Sequence, residues 1–187
     1  MFSETSICFF IIINLFYYIF SKSPKTKSFL CLIAFSLSLF STILNYKFLE
    51  IYPNKPLFMT NIVNSYMCQY LLIDLFYELM KTKKRLDIII HHVFTLCLFI
   101  YLFDYYASTF VTLAEIISIW GVFDFSDTIK KYLRLVSLFP IRTFIWYKIY
   151  SLSFCGVLSY TDSIICIIIA IIMSGLDIFW FIKTSYS

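Results

Sequence analysis

The sequence predicts an all-α fold, a polytopic transmembrane bundle of about seven helices, and three observations lead to it. Of the 187 residues, 61% are hydrophobic and only 14% are charged, with a mean hydropathy of +0.86, whereas soluble domains carry about 25% charged residues. The chain has 3 Gly and 4 Pro, which leaves little material for β-turns, long loops or a glycine-rich phosphate loop. Long apolar runs alternate with short charged segments from end to end.

Seven apolar runs approach the length of about 17–25 residues that a spanning helix needs. In chain order they cover 7–20, 29–46, 59–80, 86–103, 108–125, 138–158 and 164–182. The first run is short, and the sixth is interrupted by Pro140, Arg142 and Lys148. Because no stretch outside the runs is long enough for a second, soluble domain, we expect one compact helical domain made of two segments. Residues 1–24 form the first helix and its cytoplasmic loop, and residues 25–187 form the remaining transmembrane domain.

Positive charge alternates in step with these helices. Most of the 15 Lys and Arg residues follow odd-numbered helices: Lys22, Lys25 and Lys27, then Lys81, Lys83, Lys84 and Arg85, then Lys130, Lys131 and Arg134, and finally Lys183. The opposite segments hold Lys47 and Lys55. Because cytoplasmic loops are enriched in Lys and Arg, this pattern predicts an N-terminus that is lumenal or outside and a cytoplasmic C-terminus. The charges follow the first run and no cleavage pattern is present, so we expect a retained helix and no signal peptide.

The composition also argues against several kinds of partner and site. The net charge of +4 is accounted for by these topological clusters, so no nucleic-acid partner is expected. The six Cys residues are scattered singly without a CxxC pair, which is typical of small buried hydrophobes. Two histidines are too few for a di-iron centre, and no HExxH sequence occurs, so we expect no metal and no bound cofactor.

The histidine pair, His91 and His92, lies inside the fourth run. Ionisable residues at bilayer depth cost free energy and are rarely kept there without a partner or a function. Asp87, His91 and Thr95 are spaced i, i+4, i+8, so they share one helix face and Asp87 is placed to hydrogen-bond His91. His92 points about 100° away. Two structural histidines that bond to facing helices are the competing interpretation.

Other charged residues also fall within apolar runs. Glu115 is predicted in the middle of the fifth helix, where an unpaired carboxylate costs on the order of 3 kcal/mol, and Arg142 on the sixth helix is a candidate partner. A buried ion pair that only fixes helix packing is about as plausible there as a catalytic role. Asp74 on the third helix needs a partner too, and His91 or His92 on the next helix is the candidate.

Asp124 and Asp127 are predicted one turn apart at the cytoplasmic end of the fifth helix. One interpretation is an acid pair that lines the mouth of a cavity. The other, which the spacing alone favours, is a solvated helix end balanced by Lys130 and Lys131.

Taken together, these features resemble the TLC-domain family of multi-pass membrane proteins, over residues from about 25 to the C-terminus. The family pattern joins Tyr and Asp on one helix to a charged loop, an Asp, a His–His pair and a Thr, and its matches here are Tyr70, Asp74, the loop 81–85, Asp87, His91, His92 and Thr95. Glu115 and Arg142 match residues of later family helices. The stretch 28–37 resembles the opening of the second family helix but lacks the histidine often found there. The resemblance implies a TLC-like domain over 25–187 and an endoplasmic reticulum location.

The resemblance implies two functions. In the first, which we favour, a polar intramembrane cavity lined by Asp74, Asp87, Thr95, Glu115 and Arg142 binds or regulates membrane lipid. In the second, the chain is an N-acyltransferase like the ceramide synthases, which uses acyl-CoA as co-substrate and a sphingoid base as acceptor.

The acyltransferase hypothesis assigns catalysis to His91, His92, Asp124 and Asp127. One histidine would act as general base or acyl carrier, and the acids would orient it. The interval from His92 to Asp124 is longer than the family's acidic signature. A third hypothesis is a non-catalytic packing or chaperone-like protein in which the polar groups only join helices. Whether the chain is an enzyme stays open at this point, as does its oligomeric state.

Overall fold

The computed structural model describes residues 4–20, 25–49, 58–102, 107–156 and 158–186. Every regular element in these ranges is an α-helix, as the sequence predicts. In chain order they are α1 (Glu4–Phe20), α2 (Thr26–Leu49), α3 (Phe58–Met80), α4 (Leu86–Tyr101), α5 (Ala107–Leu113), α6 (Ile116–Ile119), α7 (Asp127–Phe154) and α8 (Tyr160–Tyr186). The boundary predicted at residue 24 lies outside the described residues, as do Lys22 and Lys55.

Five of the seven predicted helices are confirmed to within a few residues. They correspond to α1, α2, α3, α4 and α8. Ser159 explains the start of α8, because its hydroxyl accepts the backbone N–H of Asp162 and donates to the Asp162 carboxylate. Such a cap satisfies backbone groups that the first helical turn leaves unpaired.

The prediction of one continuous helix over 108–125 is wrong. α5 ends at Leu113, a turn at Ala114 and Glu115 follows, and the four-residue α6 ends at Ile119. Six backbone N–H groups in this segment bond to carbonyls three residues earlier, which is the tighter 3₁₀ pattern; they belong to Ala114, Glu115, Ile117, Ser118, Gly121 and Val122. Glu115 therefore sits at a break between two short helices instead of inside a straight one.

The predicted start of the sixth helix, at residue 138, is also wrong. α7 begins at Asp127 instead of residue 138, and the Ser126 side chain caps it by accepting the Ile129 N–H. Pro140 lies inside α7 without ending it. The basic segment Lys130–Arg134, predicted as a loop, is consequently the first part of this helix.

The helices pack as a ring. Around it, α2 contacts α3, α3 contacts α4, α4 contacts α8, α8 contacts α7, and the α5–α6 segment closes the circle between α7 and α2. α1 packs outside, mainly against α3. Its Ile13 and Tyr17 are buried in the same hydrophobic core as Tyr66 and Leu71 of α3.

The outside of the bundle is apolar. Large hydrophobic side chains lie exposed on every long helix, among them Ile11, Phe40, Phe76, Phe139 and Ile171. Contiguous exposed apolar surface of this kind is typical of contact with a membrane or a partner. Within the described ranges, two helices are both long and apolar enough to cross a bilayer, α2 over Thr26–Ile43 and α8 over Tyr160–Tyr186, while Ile7–Ile19 and Leu86–Tyr101 are apolar but shorter.

Candidate functional site

The ring of helices encloses a polar cavity of about 600 Å³ that receives side chains from α2, α3, α4, α6, α7 and α8. The described residues that line it are Lys27, Ser28, Cys31, Tyr70, Asp74, Arg85, Ile88, His91, His92, Glu115, Ile117, Ser118, Arg134, Leu135, Leu138, Arg142, Trp180, Lys183 and Thr184. Both histidines and three of the five predicted cavity residues therefore meet at one place.

Asp74 joins four helices at the wall of this cavity. Its side chain is 1% exposed and accepts a hydrogen bond from the Tyr17 hydroxyl of α1 and another from Lys27 Nζ of α2, 2.7 Å away. His92 Nε2 of α4 lies 3.4 Å from Asp74 Oδ2. The predicted pairing of Asp74 with a histidine of the next helix is confirmed, and His92 is that histidine.

His91 faces the opposite way, toward α8. Its ring meets Trp180 edge-on, with centroids 5.1 Å apart, and the buried Nδ1 has no hydrogen-bond partner in the described structure. Because buried polar atoms are normally paired, this nitrogen is a candidate contact for a ligand in the cavity.

Asp87 does not bond His91, so that prediction is wrong. The Asp87 carboxylate instead accepts from Trp180 Nε1 at 3.0 Å and from Arg85, whose Nη2 lies 2.7 Å away, and Lys183 Nζ is 4.0 Å distant. Trp180 and Lys183 come from the far end of the sequence, where no local spacing points to them, whereas Arg85 is two residues away. Asp87 holds α8 against the start of α4.

Asp87 and Thr95 also fall outside the cavity lining. The Asp87 carboxylate is occupied by the contacts just described. Thr95 lies one turn beyond His91 and is buried at 3% exposure among the packed helices. Their assignment to the cavity is therefore corrected.

The expected Glu115–Arg142 ion pair is replaced by a different one. Arg142 Nε lies 3.6 Å from Asp177 Oδ1 on α8, and Trp146 Nε1 donates to Asp177 Oδ2 at 2.8 Å. Glu115 accepts hydrogen bonds from the Cys31 thiol of α2 and from the hydroxyl of Ser118, three residues later in its own segment, and the charge of Arg142 also acts on it. Both Glu115 and Arg142 still line the cavity, but they belong to separate contacts.

The acidic pair Asp124 and Asp127 is not brought to the histidines, contrary to the acyltransferase assignment. α6 ends at Ile119, so Asp124 lies in the following linker with its side chain 87% exposed, 2.5 Å from Lys25 Nζ. Hydrogen bonding and charge from Lys25 lower the pKa of Asp124. Asp127 is exposed in the first turn of α7, where a carboxylate interacts favourably with the positive end of the helix dipole. The solvated interpretation fits both.

Sequence reasoning missed the basic lining of the cavity. Lys27, Arg85, Arg134 and Lys183 were assigned only to topology, yet they line the cavity beside the histidines. Asp177 was missed as well, although a carboxylate in the apolar run 164–182 is itself a signal.

A second hollow, mostly apolar, lies between α7 and α8. It measures about 630 Å³, and Leu138 and Arg142 line both this groove and the polar cavity. The other described residues of the groove are Phe139, Thr143, Trp146, Tyr147, Tyr150, Ser174, Asp177, Ile178 and Phe181. The two spaces are thus adjacent across the Arg142–Asp177 pair.

No family model, no curated protein and no solved structure matches this chain.

Proposed function

We propose that this chain is a polytopic membrane protein that binds or regulates membrane lipid through the polar cavity inside its helix ring. The observation that carries the proposal is the cavity itself, which is lined by His91, His92, Glu115 and Arg142. The outer surface of the bundle around it is apolar. A polar cavity adjacent to an apolar groove is complementary to an amphiphile.

The unpaired groups favour binding over simple packing. His91 Nδ1 and His92 Nδ1 are buried without hydrogen-bond partners in the described structure, and both histidines line the cavity. If the polar residues served only to join helices, each would be expected to be satisfied by its neighbours. Asp74 is satisfied in that way by Tyr17 and Lys27, so the site combines structural contacts with groups that are left for a ligand.

The sphingoid N-acyltransferase hypothesis loses the feature that would distinguish it. It places Asp124 and Asp127 beside the histidines, whereas both acids lie on the exposed side of the linker and of α7. Glu115 shares the cavity with the histidines, which is the arrangement we expect of a lipid-binding protein. The endoplasmic reticulum location and the TLC-like assignment rest on the sequence resemblance and belong to the same proposal.

Lipid retention tests the proposal. We expect the protein purified in mild detergent to carry a specific lipid, measured by mass spectrometry against the bulk membrane composition. Ile88→Trp on α4 fills the cavity and should remove that lipid, whereas Val93→Trp, which points outward from the same helix, should retain it. No enriched lipid in the wild type, or equal retention in both variants, contradicts the proposal.

A direct assay separates binding from catalysis. Membranes from cells that lack ceramide synthase, expressing this chain, are supplied with acyl-CoA and a labelled sphingoid base. We expect no N-acylated product. Product that disappears in His91→Ala/His92→Ala would instead establish the acyltransferase.

A further inference from the structure

We infer that the ligand carries a phosphate, held at the cavity mouth by Arg85, Arg134 and Lys183, and that its acyl chain leaves through the α7–α8 groove. This inference rests on the proposed lipid-binding function and names the class of lipid. It concerns residues that the sequence analysis assigned only to topology and that line the cavity.

The mouth has an excess of positive charge drawn from three separate elements. Arg85 immediately precedes α4, Arg134 lies on α7 and Lys183 on α8, and all three line the same cavity. Asp87 is shared between Arg85 and Lys183. Arg134 has no acidic partner among the described residues. Three cations around one carboxylate leave a net positive site, and arginine forks match phosphate oxygens well.

The side of the cavity near Lys27 differs in charge. There Lys27 is engaged by Asp74 at 2.7 Å and by Glu78 at 3.5 Å, and Glu115 adds another acid. An anionic group is therefore favoured beside Arg85, Arg134 and Lys183 and disfavoured beside Asp74 and Glu115. His91 Nδ1, unpaired and buried, is left to meet the neutral oxygen atoms of the same ligand.

The apolar groove continues from this cavity through residues that both spaces share. Leu138 and Arg142 line the two, and beyond them the groove is walled largely by aromatic side chains such as Phe139, Tyr147 and Phe181. A chain attached to a headgroup in the cavity reaches the exterior by this route, where several of those side chains are exposed. We assign the groove to the acyl chain of the bound lipid.

The headgroup is tested by equilibrium binding to the purified full chain in phosphatidylcholine nanodiscs. The probes are dioctanoyl phosphatidate, dioctanoyl phosphatidylcholine, coenzyme A and inorganic phosphate. We expect phosphatidate to bind best, and Arg134→Gln to weaken its binding by about tenfold, which is the loss of one charge-assisted contact. Lys130→Gln removes the same charge one turn earlier in α7 but lies outside the cavity lining, and this variant should bind phosphatidate like the wild type.

The groove is tested by chain length. Affinity for phosphatidate should rise from dihexanoyl to dioctanoyl chains in the wild type. Thr143→Trp, which obstructs the groove, should abolish that increase, whereas Val136→Trp on the exposed face of α7 should preserve it. An increase that survives Thr143→Trp overturns the assignment of the groove.

The outcomes separate this inference from the proposed function. Equal affinity for phosphatidate and phosphatidylcholine, or an equal loss in Arg134→Gln and Lys130→Gln, overturns the phosphate site while lipid binding stands. Inorganic phosphate or coenzyme A that binds as tightly as phosphatidate shows a soluble phosphate ligand and overturns the lipid assignment. Failure of every lipid to bind, together with no co-purified lipid, overturns both.

Discussion

At the residue scale, Asp74 is a buried acid that joins α3 to α1, α2 and α4. Its carboxylate accepts hydrogen bonds from Tyr17 and Lys27 and lies 3.4 Å from His92 Nε2. We expect Asp74→Asn to lower the free energy of unfolding by about 2–3 kcal/mol, because Lys27 and His92 lose the charge they face. Thermal melting in detergent measures this, and Asp124→Asn in the exposed Lys25 pair is the matched control. Equal melting of the two variants contradicts a central role for Asp74.

Substitutions of the two histidines should have different effects on thermal stability and lipid retention. Nδ1 is unpaired in both histidines, but His92 Nε2 also lies 3.4 Å from Asp74 Oδ2, whereas the His91 ring contacts Trp180. We therefore expect His92→Gln to reduce thermal stability and lipid retention together, and His91→Gln to reduce retention while melting stays within about 1 kcal/mol of the wild type. Loss of stability in His91→Gln with full retention would reverse the assignment.

Spacing along the chain predicts some of these contacts and not others. His92 reaches Asp74 because consecutive helices joined by a short loop pack side by side. Asp87 was expected to bond His91 one turn away, but Trp180 and Lys183 occupy it. Those partners depend on α8 returning to α4, which no local pattern contains.

At the element scale, the α2–α6 contact depends on Gly121. A Cβ added there would lie 2.1 Å from Ser28 Oγ and 3.1 Å from Ser28 Cβ, so the helices must move apart or Ser28 must turn. We expect Gly121→Ala to destabilise the fold by about 1–3 kcal/mol, the range for overpacking. The double variant Ser28→Gly/Gly121→Ala should recover most of the loss in a melting experiment. If the double variant melts no higher than Gly121→Ala, the contact is not the cause.

The α7–α8 pair gives a second test, through Arg142 and Asp177. Arg142→Leu leaves the Asp177 carboxylate buried without its cation, which costs about 3–5 kcal/mol for a buried pair. Adding Asp177→Asn should restore most of the stability, whereas adding Glu115→Gln should restore little. Protein abundance and melting temperature measure both. Stronger rescue by Glu115→Gln would mean that Arg142 pairs with Glu115 after all.

The helices could be predicted from the sequence where an apolar run and its capping residues agree. They could not be predicted where the backbone hydrogen-bonding pattern changes within an apolar run. Residues 108–125 contain no internal Pro and keep their apolar character across Glu115, so a single helix was expected. The change to i→i−3 hydrogen bonding at this point has no counterpart in the composition. This break is what places Glu115 at the cavity.

At the scale of the whole molecule, the alternation of charge with the helices carries more information than topology. Because positive segments follow odd-numbered helices, Lys27, Arg85, Arg134 and Lys183 were expected on one side of the membrane. The structure gathers these four residues around one cavity. The ring order of the helices, with α4 beside α8, could not be read from the chain, since it depends on which faces fit together.

The orientation of the bundle is the last prediction. If the basic segments are cytoplasmic, the loop 81–85 and the α7–α8 turn at Cys155 lie on opposite sides of the membrane. In sealed microsomes, whose cytoplasmic face points outward, an impermeant maleimide should label Lys83→Cys and reach the exposed Cys155 only after detergent is added. Lys83→Cys is made in the Cys8→Ala/Cys155→Ala background, and that background without the new cysteine is the unlabelled control. Because the phosphate site shares its mouth with the basic segments, labelling of Cys155 before detergent would place that mouth in the lumen.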